Sequence, residues 1–208
     1  MSLMLVYDFE TQSLPLFHEP SEDPRQPHIV ELGAILVDTA SRRTVSTLNV
    51  IVKPEGWTIP EETTAIHGIS TERALEVGVP ERLAVRMLFS MWASGRRVRV
   101  AHNEQFDARI MRIALMRHAN TEMADEWKAG PRECTATMAA PIVNLPPTAN
   151  MVRAGFKKPK TPTLSEAYRH FMGRDFDGAH SALADATACK DIYFAMQDLQ
   201  AQPQQAAA

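Results

Sequence analysis

The sequence holds few cysteines, two in 208 residues, Cys134 and Cys189. They make no disulfide framework and have no zinc-ligand spacing, so each is expected to be a small reduced hydrophobe. Neither sign of charge dominates, since 22 Lys and Arg stand against 25 Asp and Glu for a net charge of −3. That excludes a protein that coats duplex nucleic acid with a broad basic face. It leaves room for an enzyme that grips phosphates through cations held by its own carboxylates. Long apolar runs are missing as well. The start "MSLMLVYDFE" has no basic region and too short an apolar stretch for a signal peptide, and no later stretch could span a bilayer. Reduced thiols and no such segment point to a cytoplasmic protein. There is no internal repeat. What is present, 45% hydrophobic and 23% charged residues, suits one soluble globular domain over residues 1–200. The low-complexity tail 201–208, "AQPQQAAA", is expected to be disordered.

The apolar run Leu3 to Tyr7 reads as a strand that ends in "DFE". A Pro-dotted loop follows, then "HIVELGAILVD" and "TVSTLNVIVKP", two strands joined as a hairpin by "TASRR". "PERLAVRMLFSMWASG" predicts a helix with Leu83, Met87, Leu88 and Met91 on its stripe. "RRVRVA" alternates as a strand, with Arg97 and Arg99 on one face, which suits a basic cluster for nucleic acid and edge-protecting charges equally well. "NEQFDARIMRIALMRHA" is helical with Asn103 as its N-cap. A Pro-rich, partly basic loop runs from Pro141 to Pro162. "TLSEAYRHFMG" opens with a capping box, Thr163 and Glu166, and the last helix starts near Ser181 as cap. This order predicts an α/β fold, a mixed sheet with helices packed on it.

The acids carry the functional signal. Strand alternation puts Asp8 and Glu10 on one face with Phe9 opposite. Two like charges there repel unless water or a cation lies between them. Asp107 shares an apolar helix stripe with Ile110, Met111 and Ala114. Asp185 interrupts another, formed by Ala182, Cys189, Ile192 and Met196, with no Lys or Arg one turn away. Each acid alone also fits an ordinary role: a solvated strand end, a helix-dipole partner, half of a distant ion pair. His180 lies just before the last helix, free to swing toward Asp185. Four acids and a histidine together suit two hard cations, Mg²⁺ or Mn²⁺, that activate water at a phosphodiester.

"DFE" after a strand, "HNEQFD" opening a helix and "HSALADA" opening the last helix resemble the three motifs of the DEDDh, or DnaQ-like, exonucleases. "IHGIS", Ile66 to Ser70, resembles the segment between the first two motifs. The resemblance implies a ribonuclease H-like mixed sheet flanked by helices and a 3′–5′ exonuclease that releases 5′-mononucleotides. It implies Asp8, Glu10, Asp107 and Asp185 as ligands of the two cations, and His180 as general base. Ile66, His67, Asn103 and Phe106 would line the pocket of the terminal nucleotides. The partner is a nucleic-acid 3′ end, with single-stranded DNA favoured over RNA. An RNA-trimming enzyme, a polymerase proofreading subunit and, least, an inactive nucleic-acid-binding domain are the alternatives. A polymerase partner lacks any supporting segment. "ETQS" replaces the commoner Thr-Thr-Gly after Glu10, a departure that bears on substrate preference.

Overall fold

The structure is a computed structural model that describes residues 2–201. Of the tail 201–208, Ala201 ends the last helix and the rest lies outside the described residues. Among the described residues one six-stranded sheet forms, from β1 (Leu3–Thr11), β2 (Ile29–Asp38), β3 (Thr44–Lys53), β4 (Val79–Pro80), β5 (Val98–Ala101) and β6 (Arg132–Cys134). Their order is β4-β3-β2-β1-β5-β6. β1, β2 and β3 run antiparallel in sequence, whereas β5 lies parallel to β1 and β6 parallel to β5. The predicted mixed sheet is therefore present, with the hairpin on one side of β1 and the crossover strands on the other.

Helices cover both faces. On the first lie α3 (Glu81–Ala93), α4 (Glu104–His118) and α5 (Thr121–Ala129), packed on Leu5, Tyr7 and Phe9 of β1 around Trp92 and Trp127. The other face takes α9 (Ala182–Ala201), whose Ala186, Cys189 and Phe194 pack on Met4, Val6, Ile35 and Val37. Outside α9 sit α6 (Thr135–Val143) and α8 (Leu164–Met172), joined by the short α7 (Ala149–Arg153). The hairpin is followed by α1 (Glu61–His67) and α2 (Thr71–Val77). No described helix is long and apolar enough to cross a membrane.

Several expectations need correction. The buried stripe of α3 is Ala84, Val85, Leu88, Phe89 and Trp92, while Leu83 and Met87 are 47% and 42% exposed. Burying Phe89 and Trp92 removes more apolar area than burying the two aliphatics, so the helix turns that way. Arg99 is not an edge charge, because β6 covers β5 and the side chain is fully buried. Its guanidinium lies 3.9 Å from the Trp127 ring and donates to Trp127 O at 2.6 Å. The supposed loop 141–162 holds the end of α6 and all of α7. The capping box of α8 stands as read, with Glu166 N donating to Thr163 and Thr163 N donating back to Glu166. The long loop after β1 is ordered around the buried Gln26 amide, which bonds the backbone of Leu16, Glu19 and Pro20. Arg109 and Arg117 of α4 clip it by donating to the carbonyls of Glu19, Gln26 and Pro27.

Candidate active site

Alternation along β1 sends Tyr7 and Phe9 into the tryptophan-rich layer, and hence Asp8 and Glu10 toward α9 at the strand's C-terminal end. Across the ladder Asp8 faces Gly33 and Glu10 faces Glu31. A Cβ on Gly33 would come within 2.3 Å of the Ala182 carbonyl carbon and the Leu183 nitrogen, so only glycine lets the first turn of α9 lie against the sheet. That contact brings Asp185 to the acids of β1. One ligand atom each from Glu10, His180 and Asp185 lie within 4.8 Å of one another.

Asp107 arrives from the opposite layer. Because β5 is parallel to β1, the helix that follows it starts at the same end of the sheet. Asp107, 2% exposed, accepts the Phe9 N–H at 3.3 Å. One turn earlier the buried Glu104 fixes the helix start, accepting from Tyr7 Oη at 3.3 Å and pairing with Arg99 at 3.6 Å and Arg132 at 3.4 Å.

Burial pushes Asp8 well above the usual carboxylate range, and Asp107, Asp185, Glu10 and Glu31 push it further. Burial does the same for Asp107 against the Phe9 hydrogen bond. Glu10 rises to about 7 through burial and the charges of Asp185 and Glu31. Asp185 rises to about 6 through burial, in spite of the nearby His180. Its Oδ1 is buried and has no hydrogen-bond partner. Carboxylates crowded until they hold protons near neutrality, one with an orphaned oxygen, are a donor set for a hard divalent cation. Asp8, Glu10, Asp107 and Asp185 thus fit such cations, and His180 stands within reach of two of them.

Two site residues occupy left-handed backbone although neither is glycine, Asn103 at φ 71° and His180 at φ 67°. Asn103 stands at the N-cap position of α4, but its side chain makes no capping bond. It borders a cavity of about 660 Å³ with His102, Arg132 and Thr163. At the start of α9 the side-chain acceptor is Glu31, which takes the Ala182 N–H at 2.8 Å, in place of the expected Ser181 cap. His67 accepts the Ile69 N–H on Nδ1 at 3.1 Å, which leaves Nε2 as the protonated, unpartnered nitrogen. Burial, then the neighbouring His180, lower its pKa. Ile66 beside it is 55% exposed, whereas Phe106 packs its ring on the core. Glu31 and Gly33 were missed by sequence reading. An acid and a glycine inside the apolar run "HIVELGAILVD" were the available signal. In the basic loop before α8, Lys160 is tied to Glu166 at 2.6 Å.

The exonuclease family RNase_T matches residues 5–193. No curated protein matches the sequence. Among solved structures the chain is similar to E. coli exonuclease I in complex with a 5cy-dT13 oligonucleotide, with a TM-score of 0.73 and 18% identity over 96% of this chain and 41% of that one. The zinc-ion-bound exonuclease I–ssDNA complex gives 0.70 and 19% over 98% and 42%. The product-bound enzyme gives 0.69 and 18% over 95% and 44%. The chain thus spans about two fifths of these proteins, whose likeness shows the fold, the ribonuclease H-like sheet that the motifs imply. With the family matched from β1 almost to the end of α9, the chain belongs to the RNase_T exonucleases.

Proposed function

We propose that this exonuclease removes nucleotides from the 3′ end of nucleic acid, single-stranded DNA in preference, and releases 5′-mononucleotides with the help of two divalent cations, Mg²⁺ or Mn²⁺. The observation that carries the reading is the convergence of four carboxylates on the end of β1, none of them ion-paired with a Lys or Arg among the described residues, and including a buried oxygen with no partner there. Asp8, Glu10, Asp107 and Asp185 would hold the ions. When bound, the cations would supply stabilisation of the charge that builds up on the phosphodiester oxygens. His180, exposed on its turn beside Glu10 and Asp185, takes the proton from the attacking water as general base. His67 donates from Nε2, the nitrogen its Ile69 contact leaves protonated, to an oxygen of the terminal nucleotide. Ile66, Asn103 and Phe106 offer apolar and amide contacts to the last bases, which suits low sequence preference. The preference for single-stranded DNA is supported by the oligonucleotides bound to the exonuclease I neighbours.

The test is digestion of 5′-end-labelled single-stranded DNA, duplex DNA and RNA with and without EDTA. A ladder shortening from the 3′ end, with 5′-mononucleotides released and single-stranded DNA cut fastest, is expected. Internal cuts, shortening from the 5′ end or full activity in chelator would sink the proposal.

A further inference from the structure

Glu31 is a fifth acid at the site, and it bonds the backbone of the helix that carries Asp185. It faces Glu10 across the β1–β2 ladder and is 7% exposed. Its Oε2 accepts the N–H of Ala182, the first residue of α9, at 2.8 Å. Two residues along the same strand, Gly33 lies flush against the backbone of Ala182 and Leu183. β2 therefore holds the start of α9 twice, by a flat contact and by a charge-assisted hydrogen bond to an otherwise open helix N–H.

What hangs from that point is half of the site. His180 lies two residues before the clamp and Asp185 three after it. Ser181 N bonds Gly178 O at 3.1 Å in the turn that carries His180, and Asp185 N bonds Ser181 O at 2.9 Å in the first turn of α9. A shift of Ala182 would carry His180 and Asp185 together away from Asp8 and Glu10. Groups that hold reacting atoms tolerate displacements of only about 0.5 Å.

We propose that Glu31 is a positioning residue: by clamping the first N–H of α9 it sets Asp185 and His180 against the acids of β1, and it does so by reach rather than by binding a cation. This rests on the exonuclease reading above. Two conservative substitutions separate reach from charge. Glu31→Gln keeps an acceptor oxygen at the same distance and loses the charge. Glu31→Asp keeps the charge and falls one methylene short of Ala182.

The experiment measures amide hydrogen exchange at residues 182–185 in metal-free protein, and kcat and KM on the p-nitrophenyl ester of thymidine 5′-monophosphate with Mg²⁺. Glu31→Gln should keep wild-type protection and lose no more than about threefold in kcat. Glu31→Asp should lose protection and drop in kcat by about 10–100-fold at nearly unchanged KM, the usual effect of releasing a group that orients a ligand. Loss of either property in Glu31→Gln would overturn the proposal in favour of a role for the charge. Wild-type turnover in Glu31→Asp would overturn it too. If the wild type itself releases no p-nitrophenol, the exonuclease reading fails, and the exchange data still decide whether the clamp exists.

Discussion

Two regions of this protein bury carboxylates, and they treat them in opposite ways. Glu81, at the start of α3, is 3% exposed and fully partnered. His28 and His118 meet its Oε2 at 2.7 and 2.8 Å, Arg117 at 3.5 Å, and Ile29 N–H donates to Oε1 at 2.9 Å. Burial pushes this acid up, but the bonds from His118 and His28 outweigh it and hold the group at about 2. At the end of β1 the same burial meets more acids instead of bases, so Glu10 sits at about 7 and Asp185 at about 6. The first arrangement closes the chain on itself and anchors the loop after β1 to α3 and α4. The second has no such partners among the described residues, and divalent cations are what the proposed function supplies there. A buried charge with its partners marks structure; a buried charge without them marks a site.

The sharpest test of that contrast removes one acid from each region. Asp8→Ala or Asp185→Ala should abolish exonuclease activity, while the melting temperature of the metal-free protein stays level or rises, since mutual repulsion is relieved. A large fall in melting temperature would place these acids with Glu81 as structural groups. Next in size, His180→Ala should lower kcat by about 10²–10⁴-fold, the usual worth of a positioned base. Its Mg²⁺ half-saturation should change little, and a variant with near wild-type turnover at neutral pH would show that another group takes the proton. In the partnered region Glu81→Ala should cost about 3 kcal/mol or more of stability, because a guanidinium and two imidazoles lose their acceptor. Urea unfolding measures this, and a loss under about 1 kcal/mol would mean that solvent replaces the carboxylate.

The smallest expected effect concerns pH, and the two regions have opposite signs. Glu10 and Asp185 have folded pKa values raised from 4.5 to about 7 and from 3.8 to about 6. The folded chain therefore holds protons that the unfolded chain releases, and stability falls as pH rises from about 4 to about 7. Glu81 is lowered from 4.5 to about 2, so its contribution is present above about 4.5 and is lost as pH falls toward 2. In EDTA the melting temperature should decline between pH 5 and pH 8, where Glu81 no longer titrates. Excess Mg²⁺ or Mn²⁺ binds the ionised acids and should stabilise more as pH rises over that span. A rising melting temperature in EDTA would contradict the unpaired state of the acids.

How legible all this was depends on where the deciding interaction lies. Asp107 and Asp185 could be found because each interrupts a helical apolar stripe, a pattern of residues three or four apart. The capping box of α8 is equally local. The hairpin followed from alternation. By contrast β4 and β6, with two and three residues, carry no period of their own and exist through their neighbours. Arg99 looked like a surface charge because the two tryptophans it packs against come from α3 and α5. Glu31 was hidden for the same reason, since the N–H that explains it lies on the last helix. Local periodicity located the residues proposed to do the chemistry, and contacts distant in sequence hold them in place.

The left-handed backbone at Asn103 and His180 has a consequence for how such a protein changes over time. Most side chains pay roughly 1–2 kcal/mol in that region relative to glycine, and asparagine and histidine pay less. Both positions border the candidate site, so a stabilising change to glycine is open there, and glycine could not take the proton that His180 is proposed to take. Selection for stability alone would thus erase the proposed base before it disturbed the sheet, leaving a well-folded, inert relative. Screens for thermostable variants of this enzyme should hold these two positions fixed.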